Sequence, residues 1–207
     1  MSNLVITIGR QFGSGGRKIA KKVAETLGID FYDKELIALA AKESGLSEHL
    51  FDGMDEKPTN SILYSLVMGI QSGRGAYHRY GDLLNSDAIF RIQSQVIQNL
   101  VDEKPCVIVG RCADYVLREN PNAVNVFIHA KEDFKLKRVM DIYKKTEKDA
   151  LDTMVKTDKR RSNYYNFYTN QVWGDVTNYH IALDSGSIGI ENSARLIVDF
   201  VKMKRGE

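Results

Sequence analysis

The sequence predicts an α/β fold built around a parallel β-sheet, and three observations favour it. Short runs of apolar, mostly β-branched residues alternate with longer segments whose apolar residues recur every three or four positions. Those short runs are nearly unbroken, which is typical of strands buried on both faces of a parallel sheet. Glycine, arginine or aspartate follows several of the runs, at the strand ends where such sheets bind ligands.

Five strands and six helices are expected from this alternation. The strands are predicted at 4–8, 29–32, 106–109, 123–129 and 179–183. The helices are predicted at 18–27, from Leu36 onward, and at 87–100, 111–117, 131–145 and 190–202. Residues 44–85 give no clear period. Within them, 71–82 is rich in glycine, arginine and tyrosine and is predicted to be a loop.

Composition excludes several classes of function. The chain has 207 residues, 43% of them hydrophobic, which suits one domain with an ordinary core. The net charge of +2 gives no general electrostatic reason to expect nucleic-acid binding. No run approaches the roughly 20 apolar residues of a membrane span, and the first residues do not look like a signal peptide. Cys106 and Cys112 are therefore expected to be reduced thiols in a cytoplasmic protein.

A glycine-rich segment between the first strand and the first helix is the main candidate for a binding site. Its backbone N–H groups and the following helix N-terminus could hold a phosphate, with Arg17 and Lys18 adding charge. The usual GxxxxGK[ST] pattern is not matched, because Gly16 stands at the lysine position and no serine or threonine follows it. A tight structural turn is the alternative interpretation.

Four further segments, taken in order, make the chain resemble the cytidylate kinase-like family of P-loop nucleoside monophosphate kinases. The loop lies in ITIGRQFGSGGRKIA (6–20), and FYDKELIALA (31–40) follows it. Next come VIVGRCADYVL (107–117) with AVNVFIHAKEDFKLKRV (123–139), and finally ALDSGSIGIENSARLIVDF (182–200). The ordered set is far more specific than any one of its parts.

This resemblance implies a fold and a division of the chain. The fold would be that of a P-loop NTPase, a three-layer α/β/α sandwich with a five-stranded parallel sheet. It implies one domain whose core spans about 1–37, 87–145 and 179–207. A helical insert that binds the monophosphate would occupy about 38–86, and a basic lid about 146–172. The implied cofactors are ATP and Mg²⁺, and the implied partners are nucleotide substrates, with no nucleic acid and no membrane.

The resemblance also assigns roles to residues of the donor side. Gly13, Ser14, Gly15, Gly16 and Arg17 would wrap the donor phosphates, with Arg17 or Lys18 replacing the missing lysine. Asp33 would lie near Mg²⁺ and the attacking phosphate, with Ser14 as a second candidate metal ligand. The alternative for Asp33 is a cap for the helix that follows it. Asp184 and Ser185 would lie beside the donor base, or would simply turn the chain from strand to helix.

On the acceptor side, Arg111 would hold the acceptor phosphate or base, although a surface arginine in a first helical turn is the alternative. Cys112 replaces the family's aspartate, and Asp114 is a candidate to compensate. Lys159, Arg160 and Arg161 would form the charged part of the lid, unless they are a solvated helix face. The aromatic stretch that follows them is expected to pack against the body of the protein rather than to stack on a base.

Three functions remain open at this point. The first is ATP-dependent phosphoryl transfer to a nucleoside monophosphate of the CMP type. The second is a non-catalytic nucleotide sensor on a kinase scaffold, which the missing lysine and Cys112 favour. The third is a kinase with a non-nucleotide small molecule as acceptor.

Overall fold

The computed structural model of the chain describes residues 3–33 and 76–206. Within these ranges, five strands form one parallel sheet in the order β2-β3-β1-β4-β5. They are β1 (Val5–Arg10), β2 (Asp30–Tyr32), β3 (Cys106–Val109), β4 (Ala123–His129) and β5 (Ile181–Asp184). The predicted α/β class and the five-stranded parallel sheet are confirmed.

Helices cover both faces of the sheet and complete the predicted three layers. They are α1 (Gly16–Leu27), α2 (Ala76–Glu103), α3 (Ala113–Val116), α4 (Glu132–Tyr143), α5 (Glu147–Thr169) and α6 (Ser185–Arg205). A 3₁₀ turn at Val176–Asn178 precedes β5. None of the helices in the described part of the chain is long and apolar enough to cross a bilayer.

Alternation along the strands divides the core into two layers. Val5 faces α2 and α3 together with Cys106 and Ile108, whereas Ile6 and Ile8 face α1 and α6. Each of these five side chains is fully buried. A central strand such as β1 therefore holds apolar side chains on both faces, which is why its sequence is an unbroken apolar run.

Two local predictions are wrong and one falls largely outside the described residues. The loop expected at 71–82 is helical from Ala76, as part of the 28-residue α2. Packing of α2 on the sheet through Val96, Ile97 and Val101 outweighs Gly81 as a local helix breaker. The helix expected at 111–117 is only Ala113–Val116, since Arg111 and Cys112 have φ values of 61° and 54°. The helix from Leu36 and most of the insert lie outside the description.

The predicted start of the closing helix at residue 190 matches a break inside α6. Gly189 has φ 78° and ψ 167°, which no helical residue has. The four residues before it form a separate turn capped by Asp184, whose carboxylate accepts a hydrogen bond from the amide of Gly186. The long apolar face of α6 begins only after this break.

Candidate active site

The glycine-rich loop leaves the carboxyl end of β1 and leads directly into α1. Gly13 and Gly15 both have φ 83°, a left-handed conformation that side-chain-bearing residues rarely adopt. Gly15 is the N-cap of α1, with no side-chain cap and no acidic residue in the first turn. Helix geometry leaves the first-turn amides without intrahelical partners, so the uncapped end of α1 is suited to binding an anion.

A cleft of about 700 Å³ opens in front of this loop. Its described lining carries eight cationic side chains and one carboxylate, that of Asp33. The cations are Arg10, Arg17, Lys18, Lys21, Arg111, Arg138, Arg160 and Arg161. Such an excess of positive charge in a concave site favours a ligand with several negative charges, as a polyphosphate has.

The predicted loop residues divide into those that line the cleft and those that support it. Gly13, Gly15 and Gly16 line it, with Arg17 and Lys18 beside them. The hydroxyl of Ser14 is fully buried and donates to the carbonyl oxygen of Gln11, 2.8 Å away. It therefore points into the loop rather than toward a ligand.

Asp33 closes one side of the cleft through an ion pair with Arg17. The Arg17 Nε lies 2.5 Å from the Asp33 Oδ2, and the side chain of Asp33 is 11% exposed against 61% for Arg17. The described residues contain no cluster of three or more His, Cys, Asp and Glu side chains able to hold a metal ion. Mg²⁺ is usually bound by one or two carboxylates plus substrate phosphates, so a lone Asp33 fits a metal carried by a nucleotide.

Arg111 lies at the end of β3, buried at 7% exposure, and it is not the surface residue that a first helical turn would have made it. Burial and the nearby charge of Arg10 lower the pKa of its guanidinium to about 10, although Tyr164 acts in the opposite direction. The group therefore stays protonated at neutral pH, and a buried cation favours an anionic partner.

A small compartment of about 30 Å³ adjoins Arg111. Asp114 lines it and accepts a hydrogen bond of 2.7 Å from the hydroxyl of Tyr165. Burial raises the pKa of the Asp114 carboxyl, while the hydrogen bond from Tyr165 lowers it. Arg111 and Asp114 thus line the same small compartment.

The basic segment of α5 reaches the cleft with two of its three predicted residues. Arg160 and Arg161 line the cleft, whereas Lys159 is exposed and outside the lining. The Arg161 Nη1 donates to the carbonyl oxygen of Arg10 at 3.3 Å, and its guanidinium lies over the ring of Phe12. One turn of α5 thereby touches the glycine-rich loop.

The aromatic half of α5 packs on the body of the protein. Tyr168 stacks on Phe90 of α2 with ring centroids 4.2 Å apart, and Tyr164 and Tyr165 are buried beside Cys112. The expected packing role is confirmed. Neither cysteine forms a disulfide, and both are buried.

Asp184 and Ser185 lie behind the loop and outside the cleft lining. The hydroxyl of Ser185 is fully buried and donates to the carbonyl oxygens of Ser14, at 2.6 Å, and His129, at 3.0 Å. Asp184 caps the turn that follows it. In the structure Ser185 therefore holds the loop from behind, whereas Asp184 stabilises the turn from strand to helix.

Three residues that contact the loop or line the cleft had no role assigned from the sequence. Arg10, Arg138 and Asp158 belong to elements identified for other reasons. The Arg138 Nε donates to the carbonyl oxygen of Gly13 at 3.1 Å. The Asp158 Oδ1 accepts from the amide of Phe12 at 2.7 Å. For Arg138 and Asp158, only the placing of charge along α4 and α5 could have indicated such contacts.

Comparison with known proteins identifies the family of the chain. The profile of the cytidylate kinase-like family matches residues 5–187. A comparison with curated proteins gave no match. Among solved structures, an uncharacterised protein from Eubacterium ventriosum is 31% identical, with a TM-score of 0.73 over 97% of this chain and 99% of that one.

Two kinases share the fold at low identity. Shikimate kinase from Bacteroides thetaiotaomicron is 11% identical with a TM-score of 0.54, covering 96% of this chain and 98% of that one. A gluconokinase from Sinorhizobium meliloti is 13% identical with a TM-score of 0.50, covering 97% of each chain. Family membership supports phosphoryl transfer as the general class of activity. The chain belongs to the cytidylate kinase-like family, and its fold is that of the P-loop kinases.

Proposed function

We propose that the protein transfers the terminal phosphoryl group of ATP, with Mg²⁺, to a nucleoside monophosphate, with CMP as the leading candidate. The observation that carries this proposal is the cleft at the N-terminus of α1, where eight cations face one carboxylate among the described lining residues. The choice of CMP is supported by the family resemblance of the sequence.

The donor would bind along the glycine-rich loop. First-turn amides of α1 would face its phosphates, and Arg17 and Lys18 would add charge from the rim. ATP supplies the transferable phosphoryl group, and Mg²⁺ neutralises charge on its phosphates. Asp33 would hold the metal from the protein side, and Ser14 would support the loop from within.

The acceptor would bind by its phosphate to Arg111, with Asp114 as a second contact in the adjoining compartment. An oxygen of that phosphate attacks the terminal phosphorus of ATP, the bond to the bridging oxygen breaks, and ADP leaves. Arg160 and Arg161, on a lid within 146–172, would neutralise the charge spread over the moving group. Catalysis would thus rest on positioning and charge.

A screen of ligands tests this proposal. The melting temperature and ADP formation would be measured with Mg-ATP and each common nucleoside monophosphate. A rise in melting temperature with CMP and production of CDP support the proposal. ATP binding without turnover on any acceptor would instead favour a sensor, and turnover only on a non-nucleotide molecule would favour a small-molecule kinase.

A further inference from the structure

Two glycines that are far apart in the sequence make room for one arginine. A Cβ added at Gly16 would lie 2.6 Å from the Cβ of Arg10, closer than real Cβ atoms approach. A Cβ added at Gly110 would overlap the Nη1 of Arg10. The side chain of Arg10 therefore runs from the end of β1, across the first residue of α1, to the end of β3.

This path brings the guanidinium to the centre of the site. Arg10 lines both the large cleft and the small compartment that holds Arg111 and Asp114. Its positive charge is close enough to Arg111 to contribute to lowering the pKa of that group. An anion between two such cations would relieve their repulsion. A phosphoryl group passing from a donor on the loop to an acceptor on Arg111 would occupy that place.

Compared with the usual P-loop pattern, glycine and the cationic residue have exchanged positions in this chain. A GxxxxGK pattern over positions 10–16 would need glycine at 10 and lysine at 16, and this chain has arginine at 10 and glycine at 16. The cationic residue is therefore at the end of β1 instead of at the start of α1, and Gly16 leaves space for the side chain of Arg10. Arginine also offers two parallel N–H donors to a phosphate, which lysine does not.

We propose that Arg10 takes the place of the missing P-loop lysine and binds the terminal phosphate of the donor. This inference rests on the proposed function, because it requires a donor with phosphates on the loop. Arg17 is a weaker candidate for the same task, since its side chain is 61% exposed. Lys18 is exposed at the rim of the cleft.

Calorimetric titration with Mg-ATP and the rate of phosphoryl transfer test the proposal. Arg10→Ala should raise the Kd for ATP about 10- to 100-fold, as expected when a charge-assisted contact to phosphate is lost. Millimolar guanidinium chloride should restore part of the lost transfer rate. Arg195→Ala, which removes an exposed arginine outside the cleft lining, should change neither value.

A double variant keeps the test decisive if Arg10→Ala fails to fold. Arg10→Gly/Gly16→Lys recreates the GxxxxGK pattern and should bind ATP within a few-fold of the wild type, whereas Arg10→Gly alone should not. Unchanged ATP affinity in folded Arg10→Ala would overturn the role of Arg10 while leaving the proposed function standing. Absence of ATP binding by the wild type would overturn both.

Discussion

The Arg17 Nε and the Asp33 Oδ2 lie 2.5 Å apart and join the first turn of α1 to the residue after β2 across the mouth of the cleft. Because the side chain of Arg17 is 61% exposed, solvent screens this pair, and we expect it to stabilise the fold by at most about 1 kcal/mol. The ion pair between Arg17 and Asp33 therefore contributes little to the stability of the fold.

Asp33→Asn should lower the transfer rate about 10- to 100-fold, if the carboxylate holds Mg²⁺. Affinity for ATP without Mg²⁺ should stay the same or increase, because a negative charge leaves a cationic cleft. Transfer rates would be measured across a Mg²⁺ titration. A variant with the wild-type rate and the wild-type Mg²⁺ dependence would contradict the assignment.

Arg161→Ala should lower the rate of phosphoryl transfer more than the affinity for ATP, because lid arginines act on charge that develops during transfer. A loss of about 100-fold in kcat with a change below about fivefold in the Kd is the expected pattern. Lys148→Ala, which removes an exposed cation from the same helix, is the matched control. Equal losses in rate and affinity would assign Arg161 to ground-state binding instead.

The carboxylate of Asp158 places a negative charge against the loop, since it accepts a hydrogen bond of 2.7 Å from the amide of Phe12. Burial raises its pKa, while that hydrogen bond and the charges of Arg161, Lys135 and Arg10 lower it. Protonation removes charge that repels phosphate, so the affinity for ATP should increase as pH falls through this raised pKa.

Asp158→Asn tests that effect, because the amide oxygen can still accept from Phe12 without carrying charge. The variant should bind ATP about two- to tenfold more tightly than the wild type at pH 8, with a smaller advantage near pH 5. Titration of ATP itself is common to both proteins and cancels in the comparison. A wild-type to variant ratio that does not change with pH would refute the electrostatic effect of Asp158.

Asp114 links the stability of the fold to pH. Burial raises the pKa of its carboxyl in the folded state, so the folded protein binds this proton more readily than the unfolded chain does. The resulting stabilisation is fully present below the pKa of the unfolded state and is lost as pH rises through the folded-state pKa. Compared with Asp114→Asn, the wild type should thus gain free energy of unfolding as pH is lowered.

Urea denaturation of both proteins between pH 4 and pH 8 would measure the difference. Tyr165→Phe, which removes the hydroxyl that donates to Asp114, should cost about 1–3 kcal/mol at pH 7, because the carboxylate loses its partner. If the free energy of unfolding of the wild type, relative to Asp114→Asn, increases with pH instead, the pKa of Asp114 is not raised by folding.

The fold could be predicted from the sequence because its signals are local. Each strand run is contained within a dozen residues, and so are the glycines after β1 and the apolar period of α1. The exchange between Arg10 and Gly16 is also close in sequence, but the third participant, Gly110, is 100 residues away. Its contact with Arg10 depends on the pairing of β1 with β3 in the sheet.

The conformation of Arg111 could not be predicted for a related reason. Local propensity allowed a helix to begin at this position, whereas in the structure Arg111 and Cys112 both have positive φ and Cys112 packs against α5, which is distant in the sequence. The prediction of a loop at 71–82 was wrong for the same reason, since the helix that begins at Ala76 is held by contacts that α2 makes further along the chain.

Transfer of radioactive phosphate from γ-labelled ATP to CMP in the presence of Mg²⁺ tests the proposed activity most directly. We expect label in CDP at a rate that depends on enzyme concentration and falls at least tenfold in Arg111→Ala, with ATP still bound by the variant. Label that stays in ATP with every nucleoside monophosphate, although calorimetry detects ATP bound to the wild-type protein, would contradict it.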